Sequence, residues 1–108
     1  MYSHIMTRLF HPATDALTLP AILNALADPM RLKIVKRMMD QKQGLSCCDA
    51  TPCPNMAKST LSHHFRILRE AGLIHTEKKG VEHCNSLRVA DVNARFPGLL
   101  RLIVKMAD

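Results

Sequence analysis

The segment from Lys58 to Gly72 restricts the fold of this chain more than any other. Placed on a helix at about 100° per residue, Leu61, Phe65 and Leu68 fall in one narrow sector, while Ser59, Ser62, His63, Arg66 and Glu70 gather on the opposite side. Such a helix must lie on a core through its first set and leave its second set uncovered. Gly72 follows directly and supplies a residue that takes the left-handed conformation without strain, so the helix is expected over Lys58 to Ala71 with its stop at Gly72.

The flanking sequence supplies what such a helix would rest on. Leu19, Ile22, Leu23 and Leu26 recur at steps of three and four, which predicts an amphipathic helix from Thr18 to Ala27. Asp28-Pro29 then pairs a capping carboxylate with a proline in a first helical turn. Behind it Met30, Ile34, Val35 and Met38 make an apolar face, with Arg31, Lys33, Lys36 and Arg37 mostly opposite, in a helix expected to stop near Gln43-Gly44. Pro52 and Pro54 break the region from Leu45 to Asn55, leaving at most a short helix over Ser46 to Ala50. Beyond Gly72, Leu73 to Lys78 and His83 to Arg88 read as strands about a turn at Lys79-Gly80. A last helical region begins at Asp91, is interrupted at Pro97-Gly98, and carries Phe96, Leu99, Leu100, Ile103 and Met106 as its apolar face. Residues 1–13 show no period and are expected to form an N-terminal arm; residues 14–108 are expected to form a single domain. The order of parts predicts a mainly α fold with a small β-hairpin, a winged helix-turn-helix.

Charge then bears on partners. Fifteen Lys and Arg against nine Asp and Glu give a formal charge of +6, which favours a polyanion: nucleic acid first, a membrane surface second. No apolar run is long enough to cross a bilayer, and residues 1–14 lack the hydrophobic block of a signal peptide, so a soluble cytoplasmic protein with reduced thiols is expected. Tyr2, Phe10, Phe65 and Phe96 are too few for a stacking platform on single strands, which points to double-stranded DNA. The polar face of the Lys58 helix suits a major groove: arginine grips guanine, and small hydroxyls allow close approach. A merely solvated surface helix would show a similar face, but the preceding helix, the stop and the basic hairpin tip favour the DNA reading. Expected contacts are Ser59, Thr60, Ser62, His63 and Arg66 to DNA, with Lys58, Lys78 and Lys79 on phosphates. A phosphate-cradling glycine loop, a nucleophile elbow and a C-x-x-C pair are all missing, so an enzyme is not expected.

Two blocks resemble a known family. Ala25-Leu26-Ala27-Asp28-Pro29-Met30-Arg31-Leu32 and Ser59-Thr60-Leu61-Ser62-His63-His64-Phe65-Arg66-Ile67-Leu68-Arg69-Glu70-Ala71-Gly72-Leu73-Ile74 are similar to the helix junction and the recognition-helix block of ArsR-type regulators, small dimeric bacterial winged-helix repressors. With the wing, the resemblance covers roughly residues 18–106. It implies a homodimer formed through the first and last helices, repression on a palindromic operator, and release by an inducer. On that resemblance Leu19, Ile22, Leu99, Leu100 and Ile103 are candidate dimer residues.

The resemblance leaves the inducer open. Many members sense soft metals through a Cys-x-Cys pair ahead of the recognition helix, whereas this chain has Cys47-Cys48 and then Cys53. Three thiolates there suit arsenite or another thiophilic ion; a thiol redox switch and plain structural cysteines with no cofactor are the other readings. A zinc finger is disfavoured, because His63 and His64 point about 100° apart on a helix. The family's second metal site, made by Asp, His and Glu on the last helix, looks absent, with only Asp91 and Asp108 bracketing it. Cys84 reads as structural, His64 as a hydrogen-bonded packing residue, and His75 and His83 as solvated side chains of the wing, with a phosphate contact as the alternative. The competing class is a thiol redox or metal-handling protein for which the basic charge is incidental.

Overall fold

The computed structural model describes residues 10–40, 45–46, 57–79 and 82–107, and element labels count those residues only. A single 3-10 turn at Thr14–Ala16 leads through the buried Leu17 into helix α1, Leu19–Leu26. Thr18 Oγ1 accepts from the Ala21 amide at 3.3 Å, and Pro20 occupies the first turn, where no amide is required. Ile22, Ala25 and Leu26 are the buried side of α1.

Helix α2, Pro29–Met39, begins as expected. Asp28 Oδ2 accepts from the amides of Met30 and Arg31 at 2.9 and 3.0 Å, and Ile34, Val35 and Met38 are buried. It ends four to five residues earlier than Gln43-Gly44, because the Asp40 amide turns back to the carbonyls of Lys36 and Arg37 and closes the last turn. Of the short helix expected over Ser46 to Ala50, positions 47–50 lie outside the described residues, and Ser46 belongs with Leu45 to strand β1, which pairs antiparallel through Leu45 with Asn85 and Ser46 with Cys84.

Helix α3, Lys58–Glu70, buries Leu61, Phe65 and Leu68, the three residues that the angular argument turned inward. Its stop is a complete Schellman motif. Gly72 sits at φ 91°, its amide donates to Arg69 O at 3.0 Å, and the Leu73 amide reaches Leu68 O at 3.0 Å. A Cβ on Gly72 would collide with the Leu17 side chain and approach Pro12 Cγ to 3.3 Å. The chain therefore needs glycine here both for the backbone angle and for the close passage of residues 12–17.

Strands β2, Ile74–Lys79, and β3, Glu82–Leu87, pair antiparallel from Ile74 with Leu87 to Lys79 with Glu82. Toward the tip each strand therefore runs one residue further than expected, so that Lys79, placed in the turn by sequence, ends β2. With β1 the sheet has the order β1-β3-β2, a hairpin with one short added strand. Inside it the Thr76 hydroxyl donates to Asn85 Oδ1 at 2.7 Å, and both residues are buried. This cross-strand polar pair fixes the register, since a slip of one residue would send Thr76 outward and leave Asn85 in an apolar setting.

The last helical region is two helices, α4, Val89–Arg95, and α5, Leu99–Met106, joined across Gly98 at φ 79°. Val92 and Leu100 reach the core, with Phe96, Leu99, Ile103 and Val104 packed against it. Met106, expected on the apolar face, is 74% exposed, and Leu102 is 56% exposed. Among the described residues no helix is long and apolar enough to cross a membrane.

Candidate nucleic-acid interface

Helix α3 turns one continuous polar face outward. Lys58, Ser59, Thr60, Ser62, His63 and Arg66 are all exposed, as is Lys78 on β2. The residues expected to contact DNA on α3 therefore share one surface, and Lys79 is the last residue of β2. Ala57, at the head of α3, makes no side-chain cap, and Lys58 stands beside the positive end of the helix.

The back of α3 is fastened to the first two helices. His64 is half-buried, and its Nδ1 lies 3.3 Å from Arg31 Nη1 and 4.0 Å from Asp28 Oδ2. A guanidinium only donates, so His64 Nδ1 accepts from it. Arg31 Nε also donates to Ala25 O at 2.6 Å. One arginine thereby ties the end of α1, the start of α2 and the middle of α3. The Arg31 amide hydrogen bond holds the Asp28 carboxyl below its ordinary value; the Arg31 charge, the Met30 amide and His64 add to this, against partial burial, which raises it.

Sequence reasoning placed His64 correctly as a hydrogen-bonded packing residue and put Arg31 on the solvated face of α2. The structure brings Arg31 inward because its guanidinium finds a carbonyl and an imidazole there. No periodic pattern links position 31 to position 64, which lie in separate helices. Lys36 is also half-buried, with Nζ donating to Ala107 O at 3.1 Å beyond α5.

A second cluster sits at the base of the hairpin. Arg88 Nε and Thr14 Oγ1 donate to the two oxygens of Asp91 at 2.9 and 2.8 Å. The Arg88 hydrogen bond, followed by that of Thr14 and by the Arg88 charge, lowers the Asp91 carboxyl from its ordinary value, outweighing its desolvation. Residues 11–13, assigned from sequence to a featureless arm, pack here: Arg88 Nη1 donates to Pro12 O at 2.8 Å.

Cys47, Cys48 and Cys53 lie outside the described residues. Cys84 is half-buried on β3 and carries a free thiol. Among the described residues no three His, Cys, Asp or Glu side chains come together as a metal site. Of the dimer candidates, Ile22 and Leu100 are buried in the chain's own core, Leu99 and Ile103 are half-buried, and Leu19 is 40% exposed. Leu23 and Leu102, which the sequence argument did not select for that role, are open instead.

Residues 28–76, from the cap of α2 into the wing, match the family described as "Bacterial regulatory protein, arsR family". An uncharacterized HTH-type transcriptional regulator of Bacillus subtilis (strain 168), YceK, is 37% identical over 82 residues, which is 76% of this chain and 82% of that protein. The chain belongs to the ArsR family. The arsenical resistance operon repressor of the same bacterium is 39% identical over 70 residues, 64% of this chain and 65% of the repressor. Reduced HlyU from Vibrio cholerae superposes on this ArsR-family chain with a TM-score of 0.59 at 30% identity, covering 77% of this chain and 85% of HlyU. The two Bacillus subtilis relatives are named as a transcriptional regulator and an operon repressor, not as enzymes, and the described fold is the winged helix of DNA-binding proteins.

Proposed function

We propose that this ArsR-family chain is a homodimeric repressor that reads an operator through the exposed face of α3. The observation that carries the proposal is the continuous exposure of Ser59, Thr60, Ser62, His63 and Arg66 on a helix whose opposite side is locked into the core. Arg66 reads a base edge, the hydroxyls set the closeness of approach, and Lys58, Lys78 and Lys79 hold phosphates. The net charge of +6 supports the electrostatic part of the affinity. The protein would act in the cytoplasm, where its DNA lies.

Two apolar stripes support the dimer. Leu19 and Leu23 lie four residues apart on α1, Leu102 and Met106 four apart on α5, and all four are exposed large hydrophobics. A chain of this size gains by covering them with a second copy, and a two-fold dimer would place two α3 helices on the half-sites of a palindrome.

The inducer reading rests on Cys47, Cys48 and Cys53, which precede α3 in sequence. A thiophilic ion such as arsenite, or oxidation of these thiols, would bias the protein against DNA. The likeness to an arsenical resistance repressor favours the ion. Coupling must be reciprocal, so ion affinity falls when operator is bound. The test is binding of reduced, oxidised and arsenite-treated protein to the duplex upstream of its own gene. Selective binding in the reduced state, lost in one treatment, supports the proposal; equal affinity for unrelated duplex in every state removes it.

A further inference from the structure

Among the described residues strand β2 is an outer strand of the sheet, paired with β3 on one side. The Thr76 amide finds its acceptor elsewhere: it donates to His11 Nε2 at 3.0 Å, across 65 residues of sequence. A backbone amide only donates, so this ring nitrogen presents its lone pair. The His11 ring also stacks on His75, with centroids 4.4 Å apart and planes 26° apart. The following residues are held as closely. Pro12 O takes the Arg88 guanidinium, Thr14 holds Asp91, which Arg88 also grips, and Leu17 packs where a Cβ on Gly72 would stand. Residues 11–17 thus form a strap from the stop of α3, past the base of the hairpin, to the middle of the outer edge of β2.

We infer that His11 is a positioning residue for the wing. Its ring fastens the outer edge of β2 to a strap that is itself seated against the end of α3. It thereby fixes how the hairpin, with Lys78 near its tip, stands relative to the reading face. Two residues beyond Thr76 the strand carries Lys78, so a loss of the latch moves a phosphate contact without touching α3. The role rests on the DNA-binding reading of α3 and the wing, whereas the latch itself is measured without DNA.

Two variants separate ring from acceptor. His11→Phe keeps an aromatic surface for His75 and offers no lone pair; His11→Gln offers an amide oxygen near the position of Nε2. Exchange of the Thr76 amide in the full-length protein, followed by nuclear magnetic resonance, reports the latch. Affinity for the duplex upstream of its own gene reports positioning. In the Phe variant Thr76 should exchange about tenfold faster and duplex affinity should drop about fivefold, the scale of one hydrogen bond, while Gln restores both to within about twofold. Unchanged Thr76 protection in the Phe variant would overturn the latch. Faster exchange with unaltered affinity, or a Gln variant as impaired as Phe, would overturn the positioning role. Should the unaltered protein protect Thr76 and yet bind no duplex, the DNA reading falls and takes the positioning role with it.

Discussion

Arg66 stands exposed on α3 with Ser62 and His63 on the same face, the geometry in which a guanidinium meets the O6 and N7 of a guanine. Arg66→Ala should cost about 1–3 kcal/mol of operator affinity and relax selection at one base pair, seen by titrating operators substituted at each position. Lys78→Ala should weaken binding to every sequence alike and reduce the salt slope by about one. Asp28 and Asp91 make a different kind of prediction. Both carboxyls sit below their ordinary value in the folded protein. What they contribute to stability is therefore complete above the unfolded value near 3.9 and is lost as pH falls toward the lower folded value. Asp91→Asn should lower the melting temperature at neutral pH, and its difference from the unaltered protein should shrink as pH drops below about 4. At this scale the sequence was legible where a residue acts within its own helix. Asp28 as a cap and Leu61, Phe65 and Leu68 as core follow from local spacing. Arg31 on His64 and His11 on Thr76 are contacts made by the folded chain between distant segments, and no local pattern encodes them.

Helices α1 to α3 and the hairpin were legible as elements because each carries both a period and a terminal signal. Strand β1 was not, since two residues give no period, and the prolines beyond them suggested only irregularity. The two left-handed glycines show how context separates equal backbones. Gly72 at φ 91° is packed by Leu17 and Pro12, while at Gly98, with φ 79°, an added Cβ would meet nothing within 4 Å. Gly98→Ala should cost about 1–2 kcal/mol, the strain of the left-handed conformation alone. Gly72→Ala should cost distinctly more, because Leu17 must also leave its site. Chemical denaturation of the two variants side by side checks the ordering, and equal losses would mean that the strap yields freely.

For the whole molecule, the core is built from α1 to α5 and the base of the sheet, while two apolar stripes and one polar helix face remain outside it. The stripes predict that Leu102→Glu with Met106→Glu will shift sedimentation toward the monomer while leaving the helical circular dichroism intact. Ile22 and Leu100, dimer candidates by resemblance, are both buried within the chain's own core. An apolar period marks the side of a helix that is covered, but not whether its own chain or a second copy covers it. The central claim concerns the face of α3, and it is tested most directly by the affinity of unaltered and Arg66→Ala protein for two duplexes at moderate salt. One carries the sequence upstream of its own gene, the other the same bases shuffled. The unaltered protein should prefer the first by about a thousandfold or more, and Arg66→Ala should lose much of that preference while keeping its affinity for the shuffled duplex. Equal affinity of the unaltered protein for both duplexes, or an undiminished preference in Arg66→Ala, would contradict the assignment of this face as the reader of DNA.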